Sequence, residues 1–120
     1  MEGYLKVSTS VLKKKKNLFC VKAKGDSMNM ANIYGKSIED GDFVIVDGED
    51  REAASGDYVL SIIDGCANIK RFARDIVNNC FVLLSESTQN YPPIFIDEGD
   101  FNSYMINGKV IKVIKKPVFN

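Results

Sequence analysis

Between two β-prone segments, Tyr58 to Ile63 and Cys66 to Phe72, stands the pair Asp64-Gly65. Asp-Gly is the favoured two-residue hairpin loop, because both of its positions take φ > 0. A loop of that length predicts a register: Ile63 faces Cys66, and counting back sets Lys70 opposite Val59. Period-two alternation then puts Phe72 on the same face as Lys70. The rest of the chain reads as further short strands. Phe19, Val21 and Ala23 alternate with Cys20, Lys22 and Lys24, a half-buried strand ending at Gly25-Asp26. Phe43 to Val46 is a continuous apolar run between Gly41-Asp42 and Asp47-Gly48, the pattern of a central strand. Phe81 to Leu84 and Ile94 to Ile96 supply two more, joined by a loop holding Tyr91-Pro92-Pro93, and Val110 to Lys116 supplies the last. Helical periodicity runs over no useful length, and residues 49–55 hold at most one turn. The expectation is a mainly β domain, a curled sheet or partly open barrel, over residues 18–120. Residues 1–17, with Ser8-Thr9-Ser10 and the run Lys13 to Lys16, read as a tail or linker.

Composition narrows what such a domain can do. Its 120 residues suit one core, and 16 basic residues balance 16 acidic ones. A module that grips nucleic acid through its own surface carries a basic excess, which is missing here. The longest apolar run, Cys80 to Leu84, falls far short of the ~20 residues that span a bilayer, and no secretory h-region is visible. A cytoplasmic protein with no membrane partner is expected. Cys20, Cys66 and Cys80 are odd in number and widely spaced, which suits neither a disulfide framework nor a zinc site. They read as small core residues in a reducing compartment. The acidic groups Glu39-Asp40/Asp42 and Asp47/Glu49-Asp50 lack calcium-loop spacing and read as solvated turns. No metal or other cofactor is expected. Histidine is absent altogether. Ser-His-Asp and Cys-His catalysis are thereby excluded, and a serine nucleophile would need another base, with lysine the main alternative.

Two segments carry such chemistry. In Val21 to Met28 a strand ends in the turn Gly25-Asp26-Ser27, which presents a hydroxyl beside backbone N–H groups able to stabilise an oxyanion. In Asn68 to Phe72, Lys70 lies between Val59 and Phe72, where desolvation would lower its pKa and free the amine to accept a proton. Taken singly, each is ordinary turn or strand chemistry.

Together they resemble a family. Phe19 through Met28 is similar to the nucleophile segment of the LexA/UmuD-type Ser/Lys peptidases (peptidase family S24). Ile38 to Val46 resembles the Gly-Asp strand that follows in that family. Gly56 to Leu60 with Ile69 to Phe72 resembles its lysine-bearing hairpin, and Phe81 to Pro93 and Gly108 to Lys115 resemble its last strands. The likeness covers residues 19–116, in order. It implies a LexA/signal-peptidase-like fold in which Ser27 is the nucleophile, Lys70 the base, and the backbone N–H groups of Asp26 and Ser27 the oxyanion hole. It also implies self-cleavage of a linker, at an Ala-Gly or Cys-Gly bond upstream of the serine, in a homodimeric regulator stimulated by the RecA filament. Holding the scissile bond in the same chain supplies effective molarity.

Three features depart from the family pattern. The 43 positions from Ser27 to Lys70 are more than in well-known members, and the extra residues fall in Asn29 to Ser37. Neither Ala-Gly nor Cys-Gly occurs before Ser27, and no helix-turn-helix pattern precedes it. The expectation is a fragment of a repressor that reaches DNA only through a missing N-terminal domain. A non-catalytic dimerisation module and a UmuD-like polymerase accessory are the alternatives. A signal-peptidase relative is disfavoured for want of a membrane span. Finally, Asn107-Gly108 fits a hairpin turn by local rules, whereas the resemblance implies a bend within one long strand.

Overall fold

The computed structural model describes residues 4–6, 17–63 and 65–117. Eight strands form one antiparallel sheet: β1 (Tyr4–Lys6), β2 (Leu18–Lys22), β3 (Phe43–Asp47), β4 (Tyr58–Ile63), β5 (Cys66–Asp75), β6 (Cys80–Leu84), β7 (Ile94–Asp97) and β8 (Ile106–Ile114). Their order across the sheet is β1-β2-β3-β8-β4-β5-β6-β7. The edge strands β1 and β7 do not pair, so the sheet is curled but open, as expected. One 3-10 turn, Ser103–Met105, leads into β8. Strand β1 falls within the segment read as a tail. The Lys13 to Lys16 run, Ser8-Thr9-Ser10 and Asp64 lie outside the described residues.

The β4–β5 hairpin has the register that its two-residue loop dictates: Ile63 faces Cys66 and Val59 faces Lys70. Gly65 takes φ +78°, as that loop requires. Alternation along β4 sends its neighbours to opposite cores. Leu60 joins Val21, Met28, Ile38, Val44, Val46 and Val110 on one face. Val59 joins Phe72, Leu83 and Ile106 on the other, against which Phe81 and Phe101 pack. A curled sheet buries both faces, which is why β3 reads as a continuous apolar run rather than an alternating one.

Strand β8 starts earlier than its apolar run suggests, and Asn107-Gly108 lies inside it rather than in a turn. Its ladders skip one position against β4, between Leu60 and Ser61, and one against β3, between Ile45 and Val46. Such bulges bend a strand and sharpen its twist. Only Cys20 of the three cysteines is a core residue; Cys66 is exposed and Cys80 half-buried, and all three are free thiols.

The acidic turn before β3 is not the solvated turn its composition suggests. Asp42 is 2% exposed, and Asp47, at the far end of β3, is also buried. The Asp42 carboxylate accepts the Glu39 N–H at 2.7 Å, the Lys116 N–H at 2.7 Å and the Lys115 ammonium, tying this turn to the end of β8. Burial alone would raise its pKa. The Lys115, Lys116 and Glu39 hydrogen bonds and the Lys115 charge outweigh burial and hold it below the ordinary carboxylate range. A carboxyl whose folded pKa is depressed contributes stability that is complete above its unfolded value near 3.9 and lost as pH falls through the lower folded value. Asp42→Asn is therefore expected to cost about 1–3 kcal/mol at neutral pH, with the difference from the native protein shrinking under acid conditions. Urea unfolding across that range measures it, and a difference independent of pH would exclude the carboxylate charge as its source.

Candidate active site

The turn carrying Ser27 is built by its neighbours. After β2 the ladder continues through Ala23 N–H to Asp42 C=O (2.7 Å) and Gly41 N–H to Ala23 C=O (2.9 Å). Gly25 then breaks it at φ +84°, a conformation that favours glycine, and donates its N–H to Asp40 Oδ1 at 2.7 Å. Three residues on, Met28 plunges into the core, and its carbonyl accepts N–H groups from Ala31 and Ile38. Ser27 is thus half-buried between an exposed glycine and a buried methionine. It lines a cleft of about 200 Å³ together with Ala23, Ile38, Leu60, Ala67 and Ile69. Among the described residues, neither the Ser27 hydroxyl nor the N–H groups of Asp26 and Ser27 take part in a hydrogen bond.

Lys70 is 7% exposed, set against fully buried Val59 and on the face of β5 that carries buried Phe72. Burial holds its ammonium below the usual lysine pKa, with no charged group contributing. The amine donates to Ser85 Oγ at 2.9 Å. That contact follows from register. Strands β5 and β6 pair from Asp75–Cys80 to Arg71–Leu84, and one further step sets Lys70 against Ser85. No hydrogen bond joins Lys70 to Ser27, and Lys70 itself does not line the cleft, although its β5 neighbours Ala67, Asn68 and Ile69 do. Because β6 pairs only as far as Arg71, the edge of β5 over residues 66–69 that faces away from β4 has no strand partner among the described residues. An extended peptide can dock on an edge of this kind through its main chain.

The segment after β6, residues 85–91, reads in sequence as a polar loop, yet it fastens the nucleophile turn. Met30 N–H donates to Glu86 C=O (2.8 Å), and Glu86 N–H to Met28 Sδ (3.4 Å). Ser87 Oγ donates to Asp26 C=O at 2.7 Å. Asn29 and Thr88 exchange two hydrogen bonds of 2.9 Å, and the Tyr91 hydroxyl donates to Asp26 Oδ1. Glu86 also pairs with Arg71 (2.7 Å) and accepts the Tyr58 hydroxyl, with Arg71 lying over the Tyr58 ring. From the segment Asn29 to Ser37, Asn29 and Met30 supply part of this lacing. Ser85 was not legible as a site residue, although the four-residue turn Ile76 to Asn79, where Asn79 takes φ +51°, carries the register that places it.

Among the described residues no helix is long and apolar enough to cross a membrane, and no group of three or more potential ligands could hold a metal ion. Residues 1–111 match a family model described as Peptidase S24-like. The chain is 33% identical to the LexA repressor of Clostridium perfringens over 98 residues, 82% of this chain and 44% of that protein. It is 31% identical to the LexA repressor of Citrifermentans bemidjiense over 116 residues, 97% of this chain and 52% of that protein. For the LexA repressor of Geobacter metallireducens the identity is 33% over 115 residues, 96% and 51% of the two chains. The chain therefore spans about half the length of these curated relatives.

Proposed function

The chain belongs to the Peptidase S24-like family, and from that premise we propose that it is the autopeptidase and dimerisation domain of a LexA-like repressor. The observation that carries this reading is Lys70, a lysine buried against Val59 and Phe72 with its pKa held down, on the strand next to the cleft that Ser27 lines. In the proposed reaction Ser27 Oγ attacks the carbonyl carbon of a linker peptide bond, and its proton passes to the neutral Lys70 amine. The N–H groups of Asp26 and Ser27 hold the oxyanion. Collapse breaks the C–N bond, and the Lys70 ammonium returns its proton to the leaving amine. Water, activated by the same amine, then hydrolyses the ester. Catalytic contacts in an unliganded site commonly tighten only with substrate bound, so the linker, laid along the edge of β5, would bring Ser27 onto the amine. By the same likeness the protein acts as a homodimer in the cytoplasm, contacts DNA through an N-terminal domain, and is triggered by the RecA filament.

The Lys70–Ser85 hydrogen bond favours a second reading, a dimerisation module whose dyad is idle. Incubating the protein at its full natural length between neutral and alkaline pH separates the two. Under the peptidase reading, fragments accumulate faster as pH rises, and Ser27→Ala abolishes them. A dimer that stays whole at every pH supports the module instead.

A further inference from the structure

We propose that residues 85–87 brace the site, the Ser85 hydroxyl orienting the Lys70 amine and the Ser87 hydroxyl fixing the peptide that presents the Ser27 N–H. Both serines are positioning residues, and the proposal rests on the Ser/Lys peptidase reading. The geometry of Ser85 is direct. A neutral amine has one lone pair and two N–H bonds, and donating one of these to Ser85 Oγ at 2.9 Å restricts where the lone pair points. Ser87 acts through the peptide plane. A trans peptide holds its C=O and N–H in one plane, pointing in opposite directions. The Asp26 carbonyl accepts the Ser87 hydroxyl at 2.7 Å and the Asn29 N–H at 3.4 Å. Fixing that carbonyl fixes the Ser27 N–H on the far side of the same plane. Two residues apart on one segment, the two hydroxyls set the base and the oxyanion donor relative to each other.

The charges around this brace are engaged elsewhere. Arg71 from β5 pairs with Glu86, which also takes the Tyr58 hydroxyl from β4, and Asp26 takes the Tyr91 hydroxyl. Lys22 and Lys24 also line the cleft, so the midpoint is assigned to Lys70 by its disappearance in Lys70→Ala. The two serines predict different signatures. Ser85 Oγ accepts from the ammonium more strongly than from the amine, so its loss favours the neutral form and moves the midpoint to lower pH while the lone pair loses its aim. Loss of Ser87 leaves the midpoint in place and lowers only the plateau.

The test is the rate at which diisopropyl fluorophosphate labels Ser27 in the full-length protein, followed by mass spectrometry across pH. In that reaction Ser27 Oγ bonds to phosphorus, fluoride leaves, and the hydroxyl proton passes to Lys70. Ser85→Ala is expected to lower the plateau rate about tenfold to a hundredfold and shift the midpoint to lower pH. Ser87→Ala should lower the plateau about tenfold or more at an unshifted midpoint. Ser85→Thr and Ser87→Thr, which keep the hydroxyls, should label at near-native rates, and thermal melting identifies any variant that fails to fold. Native rate and midpoint in either alanine variant, or the same change in both, would overturn the brace and leave the peptidase reading standing. A native protein that never labels at Ser27 would overturn both.

Discussion

Replacing Lys70 with alanine is expected to slow self-cleavage by about 10²–10⁴-fold, the usual loss when a reaction forfeits its general base. That factor corresponds to about 2.7–5.5 kcal/mol of transition-state stabilisation. Histidine, the commonest general base, is absent from the chain, and in the proposed reaction its role falls to Lys70. The native rate should climb with pH and level off at a midpoint below that of a free lysine, because burial disfavours the ammonium. Lys70→Arg should fail to rescue, since guanidinium stays protonated throughout this range. Gel quantification of fragments from Lys70→Ala, Lys70→Arg and the native protein measures all three effects. Native-like cleavage in Lys70→Ala would end the dyad reading, even if Ser27→Ala were inert.

Among the described glycines, Gly108→Ala should produce the largest loss of stability, about 2–5 kcal/mol from overpacking and backbone strain together. A Cβ at this position would lie 2.4 Å from Val46 Cγ1 and 2.8 Å from the Asp47 carbonyl oxygen, and the backbone takes φ +157°. Neither neighbour can retreat, because both belong to β3, which pairs with β8 along its length. Gly65→Ala is the matched control. Its φ is +78° but a Cβ there would meet nothing within 4 Å, so only the conformational cost of about 1–2 kcal/mol applies. Urea midpoints of the two variants measure the difference, and equal losses would show that crowding against β3 contributes nothing.

The β4–β5 hairpin was legible because its loop chemistry is local. Asp64-Gly65 admits one loop length, and that alone sets Lys70 against Val59. The run Phe43 to Val46 likewise announced a central strand, and β3 lies between β2 and β8. What stayed hidden depends on distant partners. Asp42 looked like any turn aspartate, and its burial is decided by Lys115 and Lys116, more than seventy residues later. Asn107-Gly108 satisfied a local hairpin rule that the strands on either side of β8 override. Ser85 and Ser87 sit in a polar stretch with no periodicity, and their contacts arise only once the sheet lays that stretch across the nucleophile turn. Tyr4–Lys6 is too short to signal a strand before β2 offers it an edge.

In the sheet, the strand bearing the nucleophile turn and the hairpin bearing the lysine belong to separate blocks, joined only by β8. Of the described strands, β8 is the last to leave the ribosome. The half with β1 to β3 and the half with β4 to β7 are both synthesised before the strand that seals them into one surface exists, and long-range pairing of this sort is slow to form. For a chain proposed to cut itself, the nascent protein thus holds both reactive groups before it has the joined sheet that carries them.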